Sequence, residues 1–558
     1  MNLSRFHLWI SLIACSLALS SCLAPARISK PLSVRVKYLR EEPDQTTLHK
    51  LLETAITSED AEKSAEALGR FVEQWKKEKR PAKDTVPATK NGPSYEVTFT
   101  GTVEGQDPLE YYDEIYSATD FKIDRIEHHQ RRGLGAPLIA LRDNKHRAAI
   151  ETYYPPEVIT TPITAFARPG PNQLHGTQSV TIQFISSLHQ DSVMWKGQKV
   201  PLAADFSAPW ATALSRTQGL RQTAFWDVLR PKPKREPQLY LMEPYDPRKE
   251  PLIMIHGLLS TPLAWAKITN ELWADPEIRR RYQIWHYLYN TSAPALYSTR
   301  ILRTQLHDLR RQLDPEGDDP AMQRTTLLTH SMGGLIGKSL AVDPQDAFWK
   351  AAFKVPPESL DLSSEDRQTL REAFLWQPDR TIRRIIYIAV PHRGSAFADN
   401  IIGKIGSALA APPVTFRSFY ERISTRNPGV FTPEYERLGQ GKLDSISSLS
   451  PHQPTLRILA DLKLPPHIHT HSIIGNRGWT GPLEKSSDNI VPYTSSHIDT
   501  AESELIVPTG HGAFHHPAAM AEIIRVLKLP STGKPRPTQK IVDSPRYMRE
   551  PLRTSGGA

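Results

Sequence analysis

The stretch TTLLTHSMGGLIGKSL, residues 325–340, carries the strongest structural signal in the sequence. Its opening residues, rich in threonine and leucine, predict a short buried strand. Apolar residues at helical spacing follow almost at once, so the pattern predicts a helix that begins after Ser331. Gly333 and Gly334 leave room for the strand and the helix to approach each other closely. A strand that turns this sharply into a helix exposes the Ser331 hydroxyl in the position of a nucleophile.

Six short apolar runs separated by helical patterns fill the chain from Leu239 onward. Strands that alternate with helices predict a parallel sheet covered on both faces, and therefore an α/β fold. Active sites of such sheets lie beyond the carboxyl ends of the strands, so the residues after each run are the candidates for chemistry. The runs are PLIMIHG (251–257), YQIWHYLY (282–289), TTLLTH (325–330), RIIYIAV (384–390), HIHTHSIIG (467–475) and SELIVP (503–508).

Two of these runs are followed by residues that could activate the serine. A serine hydroxyl becomes a good nucleophile only when a base accepts its proton and a carboxylate orients that base. Asp488 follows HIHTHSIIG after a loop, and His511 comes directly after SELIVP, between two glycines. We therefore predict a catalytic triad of Ser331, His511 as the base and Asp488 as the acid.

Charge that develops on the substrate oxygen needs two aligned backbone N–H donors. The residue after the nucleophile, Met332, supplies one in the predicted arrangement. The loop after PLIMIHG supplies the other, and Leu258 is our candidate because His256 and Gly257 shape the turn before it.

Residues from about 251 to 529 resemble the α/β-hydrolase superfamily, in its lipase- and esterase-like branch. The resemblance is carried by IHGLLS, THSMGG, VPHRGS and the block SDNIVPYTSSH…SELIVPTGH. It implies the α/β-hydrolase fold and a serine triad with neither metal nor organic cofactor. Two positions depart from the family pattern: Thr329 replaces the usual first glycine of the turn, and Asn489 stands where glycine often follows the aspartate. The segment of about 395–466 is too long for an ordinary connection between two strands. In α/β hydrolases a lid over the active site is often inserted here.

Other acidic and basic residues compete for the same roles. Asp499, Glu502 and Glu504 are alternative acids, but they lie within or beside the last predicted strand. His515 and His516 are alternative bases, but both lie near the start of the next predicted helix, where they could have a purely structural role at its N-cap. The run HIHTH puts His467, His469 and His471 on one strand face, which is compatible with zinc. No acidic or cysteine partner is evident nearby, so we predict no metal site.

The N-terminus predicts export and lipid anchoring. Residues 1–21 combine Arg5 near the start with an apolar run too short to span a bilayer, as in a secretory signal peptide. Leu-Ser-Ser-Cys at 19–22 resembles a bacterial lipobox, so Cys22 is predicted to be lipidated. The chain has two cysteines. Because Cys15 would leave with the signal peptide, the mature protein would hold no disulfide or free thiol.

The remaining segments complete a domain plan. Residues 22–44 are predicted to be a tether, 45–235 a mixed helical and β accessory domain, 239–530 the α/β-hydrolase domain, and 531–558 a disordered tail. The formal charge of +9 is spread over short basic runs without interleaved aromatic residues, so we predict no nucleic-acid partner.

The sequence thus predicts a lipid-anchored serine hydrolase of carboxylic esters, with an ester or lipid substrate. Its expected location is the bacterial outer membrane, facing the periplasm or the surface. An acyltransferase or thioesterase on the same triad is an open alternative. A non-catalytic lipoprotein that binds lipid or a protein partner is another.

Overall fold

The computed structural model describes residues 34–38, 46–90, 92–101, 106–172, 176–217, 236–291, 293–395, 414–439, 449–531 and 539–542. Several predictions fall outside these ranges. They are the signal peptide, the lipidated Cys22, two parts of the lid-like insertion (396–413 and 440–448) and most of the tail.

The N-terminal region is a mixed α and β structure. Its helices are α1 Leu48–Thr57, α2 Ala61–Lys77, α3 Pro108–Tyr111 and α4 Ser207–Arg216. Its strands are β1 Arg35–Tyr38, β2 Lys83–Val86, β3 Ser94–Thr100, β4 Glu114–Ser117, β5 Phe121–Asp124, β6 Gln130–Arg131, β7 Ala136–Arg142, β8 Ile159–Asn172, β9 Thr177–Ser186, β10 Ser192–Trp195, β11 Gln198–Pro201 and β12 Ala204–Asp205.

Helix α2 shows how this region builds its core. It begins after Asp60, whose side chain accepts hydrogen bonds from the first-turn amides and so satisfies donors that the helix leaves unpaired. Its buried face, with Phe71 and Trp75, packs on a six-stranded sheet of order β2-β3-β9-β8-β7-β4. Only the β3–β9 pair of this sheet is parallel. Each fully buried aromatic or aliphatic side chain contributes about 1.5–3 kcal/mol to folding.

The second region alternates strands and helices. Its strands are β13 Gln238–Leu241, β14 Glu250–Ile255, β15 Tyr282–Leu288, β16 Thr325–His330, β17 Ile382–Ile388, β18 His469–Gly475, β19 Ser503–Val507 and β20 Gln539–Val542. Its helices are α5 Ala266–Ala274, α6 Pro276–Arg281, α7 Ala295–Leu313, α8 Met332–Ala341, α9 Ala347–Ala352, α10 Ser364–Phe374, α11 Val414–Arg426, α12 Pro433–Gly439, α13 Pro454–Asp461, α14 Tyr493–Ser496 and α15 Pro517–Leu527.

These strands form one eight-stranded sheet of order β13-β15-β14-β16-β17-β18-β19-β20. Strand β13 runs antiparallel to β15, and the other neighbours are parallel. All six apolar runs of the sequence form strands of this sheet, as predicted. Strands β14, β15, β16, β18 and β19 are buried along their whole length, and β17 is buried at every position but Arg383, which explains their near-continuous apolar character.

The two regions share a hydrophobic core, and buried hydrogen bonds also join them. The indole N–H of Trp210 in α4 donates to the main-chain oxygen of Ala266 at 2.8 Å. Buried Lys249 donates to Leu188 O at 2.9 Å and pairs with Glu243 at 2.8 Å. One continuous apolar cluster contains Ile139, Leu141, Val158 and Leu214 of the first region and Leu252, Ile268 and Leu272 of the second.

Two strands lie where the sequence predicts irregular chain. Strand β1 lies within the segment predicted to be a tether and pairs with β5, and β20 lies within the predicted tail and pairs with β19.

Within the described ranges, every helix is too short or too polar to span a bilayer.

Two buried histidines of the second region predict acid sensitivity. Burial and the nearby charge of His256 lower the pKa of His286 from 6.5 to about 3, and burial lowers that of His256 to about 4. Because these folded-state values lie below the unfolded value, the unfolded chain binds more protons as the pH falls. We expect each histidine to lower the free energy of unfolding by about 2 kcal/mol between pH 7 and pH 5. Urea unfolding of wild type and His286→Gln at both pH values tests this, since the variant should lose that part of the pH dependence.

Candidate active site

Ser331 occupies the sharp turn between β16 and α8. Its backbone angles, φ 52° and ψ −126°, lie outside the regions that a non-glycine residue usually adopts. Hydrogen bonds hold this conformation: Ser331 N donates to Ile388 O and Gly334 N donates to Ser331 O, each at 2.9 Å. Strained residues of this kind persist only where the surrounding structure fixes them, and they cluster at functional sites.

The two glycines after Ser331 are required by close packing. A Cβ atom at Gly333 would lie 2.4 Å from the carbonyl oxygens of Ile255 and His256. One at Gly334 would lie 2.1 Å from a methyl group of Val390. The first turn of α8 can therefore lie this close to the ends of β14 and β17 only because positions 333 and 334 are glycine.

Thr329, which departs from the usual glycine of this turn, has its own space in the structure. The side chain is fully buried, and its hydroxyl donates to Ile386 O at 3.0 Å. A Cβ atom at Gly337, two turns into α8, would lie 2.9 Å from the Thr329 methyl group. The extra volume in the strand is thus matched by a glycine in the helix.

This pairing predicts a context-dependent effect of Gly337→Ala. Alanine in a helix interior normally stabilises by about 0.5–1 kcal/mol relative to glycine. Here we expect a net destabilisation of about 1–3 kcal/mol, because the new methyl group overpacks against Thr329. In a Thr329→Ser background, which keeps the hydroxyl and removes the methyl group, the same change should become neutral or stabilising. A double-mutant cycle of urea unfolding measures the coupling, and additive effects would contradict the pairing.

His511 and Asp488 lie beside the serine. His511 Nε2 is 2.8 Å from Ser331 Oγ, and its Nδ1 is 2.7 Å from Asp488 Oδ2. Asp488 is 1% exposed, and its other oxygen accepts hydrogen bonds from Ile490 N at 2.8 Å and Val491 N at 2.7 Å. The three side chains therefore form one continuous hydrogen-bonded chain from a buried carboxylate to the serine hydroxyl.

Asn489, the second departure from the family pattern, has a backbone φ of 87°. Asparagine tolerates positive φ better than most residues, which explains how it can stand in place of glycine. Its side chain is held by Arg477, whose Nη1 donates to Asn489 Oδ1 at 3.0 Å. The turn that presents Asp488 is therefore kept.

His330 is a site residue that the sequence did not single out. Burial lowers the pKa of its imidazole well below the usual 6.5, so the ring is neutral. Its Nε2 lies 2.9 Å from the main-chain oxygen of His511, to which it donates. The ring also lies against the rings of His511 and Phe514, with centroids 4.9 and 4.7 Å away. His330 thus links the serine turn directly to the loop of His511.

The predicted oxyanion donors lie on two segments that meet at Ser331. Met332 is the first residue of α8, so its N–H has no acceptor within the helix. The loop of Leu258 is close by, since a Cβ atom at Gly257 would lie 2.9 Å from Ser331 Cβ. Tyr289 stabilises the start of this loop, because its hydroxyl donates to His256 O at 2.7 Å.

Three of the competing acids and bases, Glu502, Glu504 and His516, have other partners. Glu502 Oε1 lies 2.5 Å from His469 Nδ1, and Glu504 bonds Tyr493 and His497. His516 caps α15 by accepting from Ala518 N at 3.3 Å.

The prediction that the run HIHTH has no acidic partner was wrong. Glu502 lies next to His469 in the fold, although no acidic residue is close to the run in sequence. His471 Nδ1 lies 2.8 Å from Ser503 Oγ. Both histidines are buried in β18 and hydrogen-bonded to neighbouring residues of the sheet.

The described part of the lid-like insertion packs on α9 and α10. Ile423, Val430, Phe431 and Tyr435 form an apolar cluster with Trp349, Phe353 and Leu370. Helices α11 and α12 therefore have a packing role.

Comparisons with known proteins found solved structures of esterases, lipases and other α/β hydrolases. The mature lipase BlEst2 of Bacillus licheniformis matches with 15% identity and a TM-score of 0.31, over 52% of this chain and 98% of that one. A metagenomic carboxyl esterase, MGS0156, matches with 15% identity and a TM-score of 0.28, over 50% and 76%. An α/β-hydrolase-fold protein of Burkholderia ambifaria matches with 14% identity and a TM-score of 0.25, over 50% and 91%. No family model and no curated protein matches the chain.

Proposed function

We propose that this protein is a lipid-anchored serine hydrolase of carboxylic esters, built on the α/β-hydrolase fold. The observation that carries the proposal is the hydrogen-bonded chain from Asp488 through His511 to Ser331, at a strained strand-to-helix turn. A nucleophile, a base within hydrogen-bond reach and a carboxylate that orients the base are together the signature of covalent catalysis.

In the proposed reaction Ser331 Oγ attacks the ester carbonyl carbon while His511 Nε2 accepts the hydroxyl proton. Asp488 holds the imidazole in the tautomer whose Nε2 is free to accept that proton, and then stabilises the imidazolium. The N–H groups of Met332 and Leu258 stabilise the oxyanion. The imidazolium returns its proton to the departing alcohol, which leaves an acyl-serine. Water activated by His511 then releases the acid and regenerates Ser331.

The site favours a hydrolase over a binding protein for an energetic reason. The backbone of Ser331 is held at φ 52° and ψ −126°, a conformation that costs about 1–3 kcal/mol and that is concentrated at functional sites. The buried carboxylate of Asp488 likewise requires dedicated partners, and His511 is one of them.

The membrane part of the proposal rests on the sequence of residues 1–22. A lipid on Cys22 would tether the catalytic domain near a bilayer, which favours lipid esters as substrates. The proposed location is the outer membrane, facing the periplasm or the surface. Metabolic labelling with a palmitate analogue, compared with Cys22→Ala, tests the anchor independently of the chemistry.

A panel of p-nitrophenyl esters from acetate to palmitate tests the catalytic part. We expect saturable turnover by the full chain in detergent micelles, with a chain-length optimum that defines the acyl pocket. A folded protein that turns over none of these esters would contradict the assignment. Transfer of the acyl group to an added alcohol, measured beside free acid, separates a hydrolase from an acyltransferase.

A further inference from the structure

Away from the serine site, three metal-ligating side chains converge where the two regions meet. Glu127 and His129 lie between β5 and β6, and Glu271 lies on α5. One candidate ligand atom from each residue lies within 4.8 Å of the other two. The closest pair, His129 Nε2 and Glu271 Oε2, is 2.9 Å apart. Around a tetrahedral zinc ion with bonds of about 2.0–2.2 Å, ligand atoms lie about 3.3–3.5 Å apart.

The backbone that presents Glu127 and His129 is fixed by four hydrogen bonds. Glu127 O accepts from Ser207 Oγ at 3.0 Å and from Asn270 Nδ2 at 2.9 Å. His129 N donates to Ser207 Oγ at 2.9 Å, and His129 O accepts from the N–H of Phe206 at 3.0 Å. The backbone is therefore already in place, and only side-chain adjustments of the exposed Glu127 and of the His129–Glu271 pair are needed; pre-formed sites bind more tightly than sites that must be assembled.

The buried amide of Asn270 adds a second, independent observation. Its Nδ2 contacts both ligand-bearing segments, at Glu127 O and at 3.5 Å from Glu271 Oε1. Its Oδ1 is buried without a hydrogen-bond partner among the described residues. Buried amide oxygens usually have a partner, so Asn270 places an acceptor with unused hydrogen-bonding capacity beside the cluster.

We propose that Glu127, His129 and Glu271 bind a divalent transition-metal ion of the zinc type and so clamp the accessory region to α5. Imidazole nitrogen and carboxylate oxygen are both zinc ligands, and three protein ligands leave a fourth position for water. Ca²⁺ and Mg²⁺ prefer more ligands, all of them oxygen, so the imidazole selects against them. Helix α5 follows the loop of Leu258, and a clamp here would stabilise the side of the domain that carries the candidate oxyanion donor. The proposal does not depend on the ester chemistry.

Equilibrium dialysis of the EDTA-stripped full chain against Zn²⁺ tests the site. We expect wild type to bind one more ion per chain than Glu127→Gln or His129→Gln, whose affinity should fall at least 10–100-fold. His128→Gln is the matched control, because the neighbouring imidazole pairs with Asp205 instead. It should bind Zn²⁺ like wild type.

Glu127→Gln is the decisive variant because it removes only an exposed carboxylate and should leave the fold intact. Zn²⁺ should raise the thermal unfolding midpoint of wild type and of His128→Gln, but not that of Glu127→Gln, while Mg²⁺ should leave all of them unchanged. Equal Zn²⁺ binding by wild type, Glu127→Gln and His129→Gln would overturn the proposal, as would no binding by folded wild type.

Discussion

Replacing Ser331 by alanine is expected to lower kcat for ester hydrolysis by about 10⁶-fold, in line with the loss of the nucleophile in serine hydrolases. The hydroxyl is the atom that forms the acyl bond, so no neighbouring group can take its place. The measurement is steady-state turnover of the best ester of the chain-length series, with kcat and KM determined separately. Binding should change little, because the pocket and the oxyanion donors remain.

Ser339→Ala is a matched control for this variant. Ser339 lies on the same helix, is fully buried, and donates to Leu335 O at 2.7 Å. Its loss should lower stability slightly, by about 0.5–1.5 kcal/mol, and leave kcat unchanged. If Ser331→Ala kept most of the activity while folding normally, another residue would have to be the nucleophile.

Replacing Asp488 by asparagine is expected to lower kcat by about 10⁴-fold, through the wrong tautomer of the base. The N–H groups of Ile490 and Val491 fix which oxygen faces them. The asparagine would keep its carbonyl oxygen there and turn its NH₂ group toward His511 Nδ1. That nitrogen would then have to accept a hydrogen bond, so the ring proton would move to Nε2, which could no longer accept the proton of Ser331.

The variant Asp499→Asn tests whether the alternative acid, Asp499, orients the base in place of Asp488. The Asp499 carboxylate is 86% exposed and lies 3.0 Å from His497, away from the base of the proposed triad. We expect normal kcat for Asp499→Asn. A large loss there together with a small loss for Asp488→Asn would reverse the assignment of the acid.

Much of this architecture was predictable because its signals are local. Strands β14 to β19 are buried on both faces, so they appear in the sequence as apolar runs. Ser331 and His511 come within three residues of the end of a run, and Asp488 follows its run after a loop. Ser331, Asp488 and His511 could therefore be selected by strand-end position alone, although they are far apart in sequence.

The rest depends on contacts that no local pattern carries. The methyl group of Thr329 fits because Gly337 lies opposite it, which becomes visible only when the strand and helix are packed together. His330 matters through a bond to the main chain of a loop 181 residues away, and Glu271 is 142 residues from His129.

Strands β1 and β20 were missed for a related reason. They are four-residue edge strands, and their sequences lack the apolar runs that mark the interior of the sheet. Such segments become strands because a partner strand is available, and propensity alone does not indicate that.

Covalent labelling with a fluorophosphonate probe tests the central claim most directly, because such probes react with activated serines and leave ordinary serine hydroxyl groups alone. The full chain would be treated in detergent micelles, and the modified residue located by mass spectrometry of its peptides. The account predicts one modified site, at Ser331, which is lost in Ser331→Ala and strongly slowed in Asp488→Asn. A folded protein that stays unlabelled, or that is labelled at another serine, would contradict it.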